Sequence, residues 1–148
     1  MRLLSERRRR ARESAPDDEG SVLILTLGYA VLVLVAVLVC VNATSLYLAQ
    51  KRLDALADAA ALAGADGYTL SVVEGEPVAE LSSPEVRIQA ESLMADIGGS
   101  AVVVAAGTPD GVSARVTVAG TWHPPVLTMF VPDGVALAAT ATSRTALR

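Results

Sequence analysis

Hydrophobic and polar positions follow three successive patterns along this chain. From Gly20 to Gln50 no Asp, Glu, Lys or Arg occurs, and Ser21 to Val41 reads SVLILTLGYAVLVLVAVLVCV. A hydrocarbon core about 30 Å thick needs roughly 20 apolar helical residues, and this run supplies them. The pattern therefore predicts a transmembrane helix over 21–41. Beyond it the apolar residues become periodic. Leu46, Ala49, Leu53, Leu56, Ala60 and Ala63 recur at alternating steps of three and four, while Lys51, Asp54 and Asp58 lie on another face. That spacing predicts an amphipathic helix over 42–66 that continues the span and offers its apolar stripe to whatever folds behind it. Gly64 and Gly67 mark its end.

The remainder, 67–148, reads as a small domain. Thr69 to Ser83, with Glu74, Glu76 and Glu80, reads as a polar linker. Ser83-Pro84-Glu85 is an N-cap, a proline at the first helical position and an early acid. Val86, Ala90, Leu93, Met94 and Ile97 follow at helical spacing up to Gly98-Gly99, which predicts a short amphipathic helix. Then the period changes to two. Ala101 to Ala106 is rich in valine, Gly107 to Gly111 is a turn signal, and Val112, Ala114, Val116 and Val118 alternate with polar residues. Trp122-His123-Pro124-Pro125 interrupts pairing, Val126 to Val131 reads as a short edge strand, and Val135 to Thr145 alternates again. One short helix with three or four antiparallel strands is expected. Large apolar residues are scarce there, and small domains bury little surface, so the helix over 42–66 is expected to complete the core. The fold class is α+β: a single transmembrane helix running into a stalk helix packed on a small antiparallel sheet, a pilin-like architecture.

Charge adds orientation. Arg2, Arg7, Arg8, Arg9, Arg10 and Arg12 precede the span, and only Lys51 and Arg52 follow it closely. The positive-inside bias counts basic residues, so 1–20 is expected to be a cytoplasmic tail and 67–148 to be extracytoplasmic, in a single-pass inner-membrane protein. An arginine run also suits nucleic acid or anionic lipid, but beside a span the topogenic reading takes precedence. Val41-Asn42-Ala43 resembles a signal-peptidase site, yet the apolar run exceeds the roughly 7–15 residues of a signal-peptide core, which favours a retained anchor. Cys40 is the single cysteine and lies in the span, so neither an intramolecular disulfide nor a cysteine metal cluster is available.

Ser45 to Ala65 reads SLYLAQKRLDALADAAALAGA. This segment closely resembles the signature of the TadE/TadG-like proteins of the Tad (tight adherence, Flp pilus) apparatus, in which an N-terminal span leads directly into such a helix. The resemblance covers roughly Gly20 to Asp66. It implies a membrane-anchored, pseudopilin-like component of a Flp-type pilus or related secretion machine, with other pilin-like or platform subunits as partners. TadE-type pseudopilins carry a glutamate five residues after a processing-site glycine, and Leu25 stands at that distance from Gly20. The family often has an acid near the outer end of the span, where this chain has Asn42. Both departures point to an uncleaved assembly member rather than a filament subunit.

Catalytic chemistry finds little footing. His123 is the single histidine, without cysteine or a second histidine to share a metal, and reads as a loop residue. Glu74, Glu76 and Glu80 read as a solvated linker face rather than a cation site. Trp122 reads as a core anchor in a chain so poor in aromatics. No phosphate loop and no HExxH or GxSxG motif occurs. No cofactor, metal, nucleic acid or small-molecule substrate is expected. The candidate helix-packing and partner-contact positions are Gly28 and Ala36 in the span, where small residues admit close helix approach, and Leu46, Ala49, Leu53, Leu56, Ala60 and Ala63 on the stalk. A membrane-tethered extracytoplasmic binding or sensing domain is the alternative function, and an anchored enzyme a distant third.

Overall fold

The structure is a computed structural model that describes residues 16–73 and 75–144. The arginine cluster at Arg2 to Arg12, Glu74 and Thr145 lie outside the described residues. Helix α1 runs over Pro16–Asp66. Two compact units divide the chain, Met1–Val41 and Asn42–Arg148.

In the first unit the apolar side chains of α1, from Val22 to Val41, are exposed or half-exposed. The helix reaches a mean hydropathy of 3.0 over its most apolar 18 residues, and it is the one helix among the described residues long and apolar enough to cross a membrane. Its backbone polar groups are paired within the helix, as lipid requires. The Thr26 hydroxyl follows the same rule by donating to the Val22 carbonyl at 2.8 Å.

The second unit begins with the rest of α1, rich in Ala and Leu and free of Pro and Gly up to Gly64. Past its end, the Gly67 amide donates to the Gly64 carbonyl. Next comes an antiparallel hairpin of β1 (Thr69–Val73) and β2 (Glu76–Glu80), in register from Thr69↔Glu80 to Val73↔Glu76. The expected polar linker is therefore a hairpin. Leu70 and Val72 alternate with Thr69 and Ser71, and the two-residue connection has Gly75 at φ +88°, the left-handed conformation that such turns need. Helix α2 (Ser83–Ile97) starts one residue earlier than its sequence signal, with Ser82 as N-cap and Pro84 at the second helical position. The Ser82 hydroxyl caps the helix: the Glu85 amide donates to Ser82 Oγ at 3.4 Å, and that hydroxyl donates to Glu85 Oε2 at 2.6 Å.

A three-stranded antiparallel meander follows, β3 (Val102–Gly107), β4 (Ser113–Trp122) and β5 (Val135–Arg144), in that spatial order. A register shift between Val103 and Ala105 marks a bulge in β3, whereas β4 and β5 pair without interruption from Ser113↔Arg144 to Trp122↔Val135. The edge strand expected at Val126 to Val131 does not form. That segment is a series of turns, with the Phe130 and Val131 amides both donating to the Leu127 carbonyl, because Pro124 and Pro125 bring no amide to start a ladder.

One core joins these elements. Leu53, Leu56, Ala57, Ala60, Ala61 and Ala65 of α1 meet Leu81, then Val86, Ala90 and Met94 of α2, and Ala114, Val116, Val118 and Ala139 of the sheet. Alanine brings the backbones close. At Gly64 an added Cβ would lie 2.9 Å from Val86 Cγ1 and 3.3 Å from Ala114 Cβ, so α1 is gripped by α2 and β4 at one point.

Candidate functional site

Two surfaces of α1 carry the residues singled out in the sequence, and each belongs to one unit. Gly28 and Ala36 are exposed on the apolar helix of the first unit. Nothing lies within 4 Å of the position a Cβ would take at Gly28, so the position is open to a neighbouring helix.

In the second unit Leu53, Leu56 and Ala60 are buried, while Leu46, Ala49 and Ala63 are half-buried. The buried face is wider than the stripe visible in the sequence, because Ala57, Ala61, Gly64 and Ala65 are also closed off. A helix covered by a single neighbour buries a narrow seam; α1 is covered by both α2 and the sheet. Beside this face lies a pocket of about 380 Å³, lined in part by Leu48, Arg52, Leu56, Trp122, His123 and Leu137.

Polar contacts pin the helix to the sheet around that pocket. Trp122 Nε1 donates to Ser45 Oγ at 3.1 Å, which holds the half-buried indole at the edge of the core rather than inside it. Gln50 Nε2 donates to the Ala138 carbonyl at 3.2 Å and to Asp54 Oδ1 at 3.1 Å. Lys51 Nζ pairs with Asp54 Oδ2 at 3.1 Å. The Gln50 amide, and after it the Lys51 ammonium, hold the Asp54 carboxyl below the usual carboxylate range, and the hydrogen bond to Asp54 raises Lys51. Such an exposed pair adds little stability. His123 is exposed. Among the described residues, no three of His, Cys, Asp and Glu come together as a possible metal site. Arg87 and Glu91 form a surface pair at 3.1 Å, as their i,i+4 spacing allows.

The sequence reading marked the β3–β4 turn but missed the cluster of contacts around Asp110 within it. Asp110 Oδ1 accepts from the Val112 and Ser113 amides at 3.1 and 2.7 Å, and Oδ2 accepts from the Ser113 hydroxyl at 2.9 Å. Arg144 stands 3.6 Å away. The Pro109-Asp110-Gly111 signal marks the turn itself, but not this charge partner, which arrives from the far end of β5.

Comparison with curated proteins and with solved structures finds no match. Residues 20–67, the segment that holds the candidate membrane helix and the helical face just described, match the family model Tad, described as putative Flp pilus-assembly TadE/G-like. The long helix of this chain is TadE/G-like, and the match supports a role in pilus assembly.

Proposed function

We propose that this chain is a membrane-anchored, pseudopilin-like component of a Flp/Tad-type pilus assembly or secretion apparatus, with a structural rather than a catalytic role. The observation that carries this reading is helix α1 itself. Ser21 to Val41 has no charge and exposes its apolar side chains, while Leu53 to Ala65 of the same helix contributes buried residues to an α+β domain. Residues 1–20 form the cytoplasmic tail, 21–41 the span, 42–66 the stalk and 67–148 the extracytoplasmic domain, in the inner membrane.

Partners are other pilin-like or platform subunits, met through the span and the small-residue helix. In lipid, packing rather than hydrophobicity drives helix association, so small residues such as Gly28 and Ala36 set how closely neighbours approach. Deletion of the gene is expected to reduce Flp-type appendages, adherence or export, and the full-length protein is expected to crosslink to such subunits in the membrane. Bulky substitutions at Gly28 or Ala36 weaken those crosslinks and leave insertion intact.

The pocket beside Trp122 and His123 favours one other reading, a tethered domain that binds a small ligand. Normal appendages and export in the deletion strain, together with specific ligand binding by the purified domain, would establish that alternative. His123→Ala should leave the assembly phenotype unchanged.

A further inference from the structure

The connection between β4 and β5 exposes large apolar side chains at one end of the second unit. Met129 is 93% and Phe130 81% exposed, and Val126 and Leu127 are exposed beside them. No Asp, Glu, Lys or Arg occurs from His123 to Pro132. Exposed aromatic and sulfur-bearing side chains at a loop tip without charge are poor company for water and need an apolar surface.

The packing of β4 on α1 says where that surface is. Near the start of β4, Ala114 Cβ lies 3.3 Å from the position of a Gly64 Cβ. Near its end, a Cβ at Gly120 would lie 3.3 Å from Leu53 Cδ1. Its last residue, Trp122, is bonded to Ser45. Strand and helix thus run antiparallel. The step from Gly64 to Ser45 is about 28 Å of helix, and the step from Ala114 to Trp122 is about 27 Å of strand. A chain leaving β4 at Trp122 therefore continues toward lower-numbered residues of the helix, and so toward the end of the second unit at which the polypeptide enters from Val41. Ser45 lies only four residues past Val41. Of the chain's three tyrosines, one tryptophan and one phenylalanine, Tyr47, Trp122 and Phe130 all belong to this end. Tryptophan and tyrosine favour the membrane–water interface.

We infer that the β4–β5 loop is a second membrane contact, in which Met129 and Phe130 enter the outer interfacial region of the bilayer. The inference rests on the reading of 21–41 as a span. Two apolar side chains add a shallow hold like that of interfacial anchors, and together with the span they give the domain two attachments, which restricts its tilt and rotation.

The test uses the full-length chain with Cys40→Ala, reconstituted in phosphatidylethanolamine/phosphatidylglycerol liposomes. Single cysteines replace Met129, Phe130, Leu32 as a probe of the span, or Pro109 in the turn at the opposite end of β4, and each carries an environment-sensitive fluorophore. Lipid with a quencher at acyl carbon 5 should quench the labels at 129 and 130 several-fold more than the label at 109, with blue-shifted emission. Aqueous iodide should show the reverse order. Quenching at 32 without excess lipid quenching at 129 and 130 overturns the loop contact and leaves the span standing. Labels at 129 and 130 shielded from both quenchers mean that protein covers the loop, which also overturns it. Absence of lipid quenching at 32 brings down the span reading and the inference together.

Discussion

At Leu53 and Leu56 the side chains are closed off between α1 and its neighbours, retaining 6% and 8% exposure, and no cation lies among the buried residues that surround them. Either residue changed to Asp would bury an unpaired charge, and a loss of several kcal/mol is expected. Chemical denaturation of the full-length protein measures it. Asp58 is exposed on the same helix, and Asp58→Ser should change stability by less than about 0.5 kcal/mol. Gly64→Ala tests the close approach: its Cβ would sit 2.9 Å from Val86 Cγ1, and overpacking of this kind costs about 1–3 kcal/mol. Asp110 brings pH into the account. Hydrogen bonds led by the Val112 amide, with Ser113 and the Arg144 charge, hold its carboxyl below the ordinary value against some desolvation. A carboxyl depressed in the folded state contributes stability that is complete above its unfolded value, near pH 4, and lost as pH falls through the folded value. Acid should therefore lower the melting temperature of the wild type more steeply below about pH 4 than that of Asp110→Asn. Parallel acid profiles for the two proteins would remove this residue from the account.

Elements differ in how much of themselves they declare in sequence. The candidate membrane helix declares itself by length and apolarity, and β4 by the alternation of Ala114, Val116 and Val118, which are all fully buried. The β1–β2 hairpin does not. Its alternation is short, five residues a strand, and interleaved acids give it the composition of a linker. The turns at Val126 to Val131 mislead in the other direction, since an apolar, β-branched run reads as a strand whether or not a partner edge exists. Pairing partners are a tertiary property, and so is the width of the buried face on α1: Ala57, Ala61 and Ala65 fall beside the visible stripe and are buried only because α2 and the sheet arrive from two sides. Helix α2 sits between these cases. Serines at 82 and 83 offer two N-caps, and Ser82 is the one used: it stands three residues before Glu85, whose amide and carboxylate both bond its hydroxyl. Ser82→Ala should cost about 1 kcal/mol, and Ser83→Ala less, since Ser83 Oγ accepts only the Thr108 amide, at 3.2 Å. Equal losses at both positions would show that the Ser82 cap contributes nothing.

For the whole molecule, the arginine cluster and the exposed apolar helix together predict orientation. Reporter fusions at Ala15 should be cytoplasmic and fusions after Gly99 extracytoplasmic, with a full-length membrane band; a mature protein free of the membrane and starting at Thr44 would instead mean a cleaved signal. The helix over 42–66 makes a stricter demand, because it both continues the candidate membrane helix and forms part of the core. Among the described residues, six of the fourteen buried apolar residues come from α1, Leu53 to Ala65. The remaining eight, Leu81, Val86, Ala90, Met94, Ala114, Val116, Val118 and Ala139, are small or medium in size and are spread over a short helix and a sheet. Without α1 the inner face of β4 and the buried face of α2 would both be opened to water, and domains of that size have little stability in reserve. A fragment of residues 42–148 should therefore unfold in one cooperative transition, while a fragment of residues 69–148 should show no such transition and should bind dyes specific for exposed apolar surface. Cooperative unfolding of the shorter fragment would mean that the stalk merely docks on a finished domain. Its absence would mean that the head is built on the helix that anchors it, so that α1 cannot be drawn away from the domain without unfolding it.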